Sequence, residues 1–284
     1  MDPVCFTPAQ VAENFTETIC VKKAKAPFLY LLVLGILAGV YIAFGGMIAT
    51  LAGFESAAHL GTGLSKIFSG GVFSVGLMLV VIGGAELFTG NNLILLSALS
   101  KNIPWSGLFR NWLIVYVANF IGALFVAWLY FETGLWKTTG TSPDSLLGVG
   151  ALKIAVTKVN LPFTEALARG ILCNWLVCLA VWLAAASKEV VSKIFAIFFP
   201  IMTFVALGFE HSIANMYFIP LGIMLKSPLM DNAGIAAEKL ANLNWNGFLI
   251  GNLLPVTIGN IIGGAFFVGF LYWIAYVRKA KKAA

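Results

Sequence analysis

Two polar clusters interrupt apolar stretches of this 284-residue chain, and their residue types suit the handling of a small anion. One runs Gly83-Gly84-Ala85-Glu86-Leu87-Phe88-Thr89-Gly90-Asn91-Asn92; the other runs Gly208-Phe209-Glu210-His211-Ser212-Ile213-Ala214-Asn215. Buried in a continuous helix, such groups cost several kcal/mol each. A break in the helix is cheaper, because the freed backbone groups then line a protein-enclosed cavity. The N-terminus of the second half-helix offers unpaired N–H donors and a dipole that attract negative charge. Thr89 adds a hydroxyl at one break and His211 an imidazole at the other. Histidine exchanges its proton nearest neutral pH, so His211 could protonate a monovalent anion, pass it as the neutral acid, or close the route when charged.

The remaining polar residues have plainer readings beside the functional ones. Carboxylates facing a lumen would hinder anions, so Glu86 and Glu210 are expected to point into protein, capping N–H groups or bonding neighbours. Asn174, in the middle of an apolar run, must hydrogen-bond internally and is a candidate partner for a group at the breaks. Lys158, flanked by Val159 and Leu161, reads either as a snorkelling anchor or as a cation that gathers anions. His59 lies in a polar loop and reads as solvated. Cys5, Cys20, Cys173 and Cys178 lack metal-ligand spacing and read as small buried hydrophobes without disulfides. A single buried histidine meets neither the nucleophile–base nor the metal-ligand pattern of an enzyme, and no cofactor is implied.

The elements that must carry these groups are membrane spans. The chain is 60% hydrophobic and 11% charged with a mean hydropathy of +0.93, which excludes a soluble globular domain of this length. A span needs roughly 20 apolar residues, and six candidates stand near 28–51, 70–98, 111–131, 163–187, 191–225 and 248–277. Three patterns occur twice, in order and with matched spacing: Pro27-Phe28 with Gly35-Ile36-Leu37 and Pro162-Phe163 with Gly170-Ile171-Leu172; Gly84, Glu86, Asn91 and Gly208, Glu210, Asn215; Asn111, Asn119, Gly122 and Asn252, Asn260, Gly263. The chain therefore reads as two three-span repeats, about 27–131 and about 162–277. An odd span count inverts the second against the first, an architecture of membrane transport.

Lys and Arg, among them Lys22, Lys23 and Lys25, are in excess at the termini and on the loops that share their side, and residues such as Glu55, Asp144 and Glu165 offset those on the other side. The positive-inside rule places both termini in the cytoplasm. The net charge of +6 is topological; the basic residues are scattered without interleaved aromatics, so nucleic acid is not implied. Residues 1–26 read as an amphipathic segment at the cytoplasmic membrane surface, an anchor or a gate. Residues 278–284 read as a basic cytoplasmic tail.

At Gly208-Phe209-Glu210-His211-Ser212-Ile213-Ala214-Asn215-Met216, Ala85-Glu86-Leu87-Phe88-Thr89 and Pro255-Val256-Thr257-Ile258-Gly259-Asn260 the chain resembles the formate/nitrite transporter family, over about residues 20–277. The resemblance implies an all-α, aquaporin-like fold of six membrane helices with the second and fifth broken. It implies a homopentamer in the cytoplasmic membrane, each subunit with its own pore for formate, nitrite or hydrosulfide. His211 matches the family's central pore histidine and Thr89 the threonine that faces it. Leu87 and Phe88 match hydrophobic gate residues, and Phe73, Leu77 and Phe204 match the constrictions. Lys158 matches a vestibule lysine, and Asn174 and Glu210 match partners in the network around that lysine and the histidine. The family's N-terminal segment is proposed to gate the cytoplasmic mouth. Glu86 stands where the closest formate channels often have Asp, and Cys173 stands beside Asn174. The expectation is a pore for small weak-acid anions, formate first, with pH-linked passage at His211. The alternatives are nitrite or hydrosulfide, or a neutral-solute pore, although the Asn-Pro-Ala of aquaporin half-helices is absent.

Overall fold

The computed structural model describes residues 5–141, 146–231 and 233–278, whose regular secondary structure is helical, with no strand. Asp144 and all of the expected basic tail except Arg278 lie outside the described residues. Five helical segments are long and apolar enough to cross a membrane: Phe28–Gly53, Ser56–Val81, Trp105–Glu132, Phe163–Ala186 and Gly247–Val277. Two shorter apolar segments, Phe88–Leu99 and Val190–Ala206, accompany them.

The chain opens with α1 (Pro8–Asn14), started by a capping box in which Thr7 and Gln10 satisfy each other's backbone N–H groups. A π-turn at Phe15–Ile19 leads into α2 (Cys20–Lys25). The apolar side of this segment is turned onto protein: Val11, Phe15, Cys20 and Ala24 are buried with Ile94, Trp182 and Val268, and Phe15 stacks on Trp182 at 5.2 Å. Then come α3 (Phe28–Gly53), α4 (Ser56–Phe73) and α5 (Val75–Val81). After the first break lie α6 (Phe88–Asn91), a 3₁₀ turn at Asn92–Ile94, and α7 (Leu95–Leu99). α8 (Trp105–Glu132) and α9 (Leu147–Val159) lead to α10 (Phe163–Ala186) and α11 (Val190–Ala206). α12 (Ser212–Leu229) follows the second break, and α13 (Ala237–Ala241) is a short connector. The last long helix, Gly247–Val277, has α14 (Leu254–Ile261) between π-helical stretches. Pro27, Pro104 and Pro162 sit extended immediately before α3, α8 and α10, where a missing N–H costs nothing.

The repeated motifs occupy matching places. α3 packs closely on α8, and α10 on α14. After α5 the backbone turns at Gly84 (φ 88°) and runs extended through Leu87 into α6. After α11 it turns at Gly208 (φ 72°) and runs extended through His211 into α12. The turns close alike, with Ala85 N–H donating to the Val80 carbonyl at 2.8 Å and Phe209 N–H to that of Phe204 at 3.0 Å. A methyl group at either glycine would meet open space, so the cost of replacing it is conformational alone. Gly84→Ala and Gly208→Ala are each expected to lower stability by ~1–2 kcal/mol, read by thermal unfolding in detergent.

The helices differ from the hydropathy reading in several places; α8, for one, begins at Trp105 rather than near 111. The helix expected from residue 70 begins at Ser56, because Ser56, His59, Thr62, Ser65 and Lys66 dilute the apolar signal and Gly61 (φ 75°) kinks the first turns. His59 thus stands in a helix and not in the expected loop. α9 occupies the stretch between the expected third and fourth spans, where no element was expected; Leu152, Ala155 and Val159 are buried, and α9 packs on α12. Cys5 is exposed, unlike the three other cysteines.

Candidate functional site

The two breaks touch through Thr89 and His211: Thr89 Oγ1 lies 3.0 Å from His211 Nε2, with both residues buried. His211 is also the N-cap of α12, and its Nδ1 accepts the Ala214 N–H at 3.0 Å. A ring nitrogen that accepts carries no proton, so the ring's proton is on Nε2, aimed at the Thr89 oxygen. The Thr89 hydroxyl proton is then left without an acceptor among the described residues. Neutral imidazole and hydroxyl thus form a directed donor chain with a free end.

Apolar rings adjoin this pair. Phe204 lies against His211 with ring centroids 5.9 Å apart, and Phe73 meets Phe204 edge-on at 5.8 Å. One helical turn beyond Phe73, Leu77 shares with Leu87 the wall of a cavity of about 370 Å³ that also touches Phe15, Lys23, Glu86 and Lys193. Phe88 turns the other way: its ring packs edge-on against Trp112 and Tyr116 and borders a separate apolar groove between α8 and residues 249–257.

The carboxylates point into protein. Glu210 Oε1 accepts from Lys158 Nζ at 2.8 Å, while Oε2 accepts from Asn215 Nδ2 at 2.7 Å and Asn252 Nδ2 at 3.1 Å. Lys158 Nζ also lies 5.5 Å from the centre of the Phe218 ring. Glu86 is held the same way, its Oε2 accepting from Lys23 Nζ and from Asn91 Nδ2, each at 2.8 Å. Asn91 in turn donates to Asn111, as Asn215 does to Asn252.

The second asparagine of each repeat holds the extended backbone. Asn119 accepts the Phe88 N–H and donates to the carbonyls of Gly35 and Glu86. Asn260 accepts the Ser212 N–H and donates to the carbonyls of Gly170 and Glu210. Asn174 bridges the breaks rather than bonding Lys158; it donates to the Thr89 carbonyl at 3.1 Å and the Asn260 carbonyl at 2.7 Å.

Thus His211, Thr89, Phe204, Phe73 and Asn174 come together directly. Leu77 and Leu87 meet at the neighbouring cavity, Lys158 and Glu210 form an ion pair beside the second break, and Phe88 stands behind the first. Sequence reasoning missed Lys23, which was counted only as a topological charge. A signal existed: Lys23 stands four residues before Pro27, as Lys158 stands four before Pro162.

Similarity to known proteins identifies the family. The sequence profile described as "Formate/nitrite transporter" matches residues 9–274. The chain is 45% identical to a probable formate transporter of Methanothermobacter thermautotrophicus, over 96% of this chain and 98% of that protein. It is 40% identical to the formate channel FocA of Escherichia coli K12, over 96% of this chain and 95% of that one. A solved structure described as a pentameric formate channel with formate bound superposes with a TM-score of 0.77 at 35% identity, covering 90% of this chain and 99% of that chain. Duplicated breaks, a histidine–threonine contact between them and matched profile, sequence and fold have one source: the chain belongs to the formate/nitrite transporter family.

Proposed function

We propose that this protein is a pore for small monovalent weak-acid anions, with formate as its substrate. The observation that carries the reading is the Thr89–His211 contact, a neutral donor chain joining two helix breaks inside an apolar surround. The names of the two relatives and of the matched structure support formate over other anions.

In this reading the chain crosses the cytoplasmic membrane six times as two inverted repeats of aquaporin-like arrangement, both termini inside. The second span is Ser56–Val81 continued by Phe88–Leu99; the fifth is Val190–Ala206 continued by α12. Five copies assemble, as in the pentameric channel it resembles, and in this reading each has its own passage. Lys158 and Lys23 stand at opposite mouths, each held by a carboxylate–asparagine set, and supply the positive poles that gather anions. Phe73 with Phe204, and Leu77 with Leu87, form the constrictions, while Phe88 braces Leu87 from behind. Residues 5–25 cover the cytoplasmic mouth through Phe15 and Ile19.

Transferring a bare carboxylate through such rings is far costlier than transferring the neutral acid. Passage is therefore linked to pH: the anion collects at a lysine, takes up a proton from water at the edge of the apolar zone, crosses as the acid, and returns that proton to water on the far side. At the centre the Thr89 hydroxyl, backed by His211 Nε2–H, replaces the hydrogen bonds that the solute leaves in water. Proteoliposomes carrying the protein should swell in ammonium formate many times faster than empty vesicles and no faster than empty vesicles in glycerol. Equal swelling in glycerol would make it a neutral-solute pore, and faster swelling in nitrite or hydrosulfide would reassign the substrate.

A further inference from the structure

Thr89 stands in the first turn of the helical run Phe88–Leu99, where backbone groups lack the partners of a helix interior. Side chains hold this turn instead. Asn119 takes the Phe88 N–H at 2.9 Å, Asn92 Nδ2 donates to the Phe88 carbonyl at 2.9 Å, and Trp112 Nε1 donates to the Asn91 carbonyl at 2.9 Å. The Thr89 carbonyl accepts twice, from Asn174 Nδ2 at 3.1 Å and from Cys178 Sγ at 3.3 Å. Asn174 and Cys178 lie one turn apart on α10, hence on one face. Opposite them Gly264 leaves the room they need, since a methyl group there would overlap Asn174 Nδ2, Cys178 Sγ and the Asn92 Cβ. A thiol is a weak donor, but this one is fully buried, and its alternative acceptor, Asn174 Oδ1, is more distant at 3.9 Å.

We propose that Cys178, given space by Gly264, is a positioning residue for the Thr89–His211 donor chain. Two donors on one carbonyl fix the orientation of the Thr89 peptide and so the direction of its Cα–Cβ bond. That direction sets the contact of Oγ1 with His211 Nε2. With the thiol gone, Asn174 alone leaves the peptide free to rock, and the hydroxyl spends less time in line with both ring and solute. The inference rests on the proposed role of Thr89, so its test includes a Thr89 variant.

The experiment is a double-mutant cycle read by formate-driven swelling of proteoliposomes. Cys178→Ala is expected to slow formate ~2–10-fold, the worth of one modest hydrogen bond, and Cys178→Ser to recover most of that rate. In a Thr89→Val background Cys178→Ala should produce little further loss, because coupled groups are non-additive. An independent readout needs no working variant of altered rate: the infrared S–H band removed by Cys178→Ser should lie at the frequency of a hydrogen-bonded thiol. Equal slowing in both backgrounds, a Cys178→Ala channel as fast as the parent, or a band at the free-thiol frequency would each overturn the positioning role. If Thr89→Val alone leaves the formate rate and its pH profile unchanged, the donor-chain reading fails, and the positioning role falls with it.

Discussion

Replacing Lys158 by methionine is expected to destabilise the protein by ~3–5 kcal/mol, the penalty of leaving a buried carboxylate without its cation. The Glu210 side chain is 4% exposed and that of Lys158 14%, so water screens little of the lost attraction. Restoring the balance separates charge from packing. In Lys158→Met/Glu210→Gln the glutamine oxygen still accepts from Asn215 and Asn252, which otherwise bond Glu210 Oε2, and no net charge remains buried. Most of the stability should return in that double variant, measured by thermal unfolding in detergent. Formate flux should not return. With the positive pole gone from the mouth, uptake at low ionic strength is expected to stay at least ~10-fold below the parent. The equivalent pair grades the effect: the Lys23 side chain is 27% exposed, so Lys23→Met should cost less stability than Lys158→Met. A Lys158→Met protein as stable as the parent would show that Glu210 does not depend on its partner.

The two breaks were legible in the sequence; of the ion pairs beside them, the family resemblance implied a network around Lys158 and Glu210, and the Lys23–Glu86 pair was missed. Glu86 and Glu210 announced themselves because a carboxylate amid apolar residues has few affordable environments, and the matched spacing to Gly84 and Gly208 implied the same solution twice. The structure holds both carboxylates with an asparagine from the same break and a lysine from an adjoining segment. Lys23 was equally legible in its distance from Pro27, yet its place among Lys22 and Lys25 made it look like a membrane-surface charge. Other features carried no sequence signal. Hydropathy cannot say that Phe88 turns toward Trp112 and Tyr116 while adjacent Leu87 lines the cavity, because that depends on how the extended residue before α6 is rotated. Nor can composition tell a buried cysteine that only packs from one whose thiol meets the Thr89 carbonyl. α9 was hidden because its burial depends on α12, a helix far along the chain.

His211→Phe and His211→Asn are expected to part company, and the difference tests what the imidazole does. Phenylalanine keeps the ring beside Phe204, where His211 now lies at 5.9 Å, but it gives up the cap on the Ala214 N–H and the donor to Thr89. Loss of the cap costs ~1–2 kcal/mol of stability, and loss of a buried donor worth about 1.5 kcal/mol slows passage by roughly tenfold. Asparagine is among the best N-caps; its oxygen accepts the Ala214 N–H, so stability should stay near the parent's. Its amide nitrogen stands where the ring has Cδ2, one bond short of Nε2, so the donor to Thr89 is lost and flux should fall as in the phenylalanine variant. The pH profile then carries the mechanism. If the solute crosses as its neutral acid, acidification raises the permeant fraction whatever residue stands at 211, and the asparagine channel should speed up as pH falls, as the parent does. A conducting His211→Asn channel with a flat profile would mean that the imidazole itself exchanges the proton, and the neutral donor assigned to Nε2 would have to give way to a ring that opens its own helix cap to take up charge.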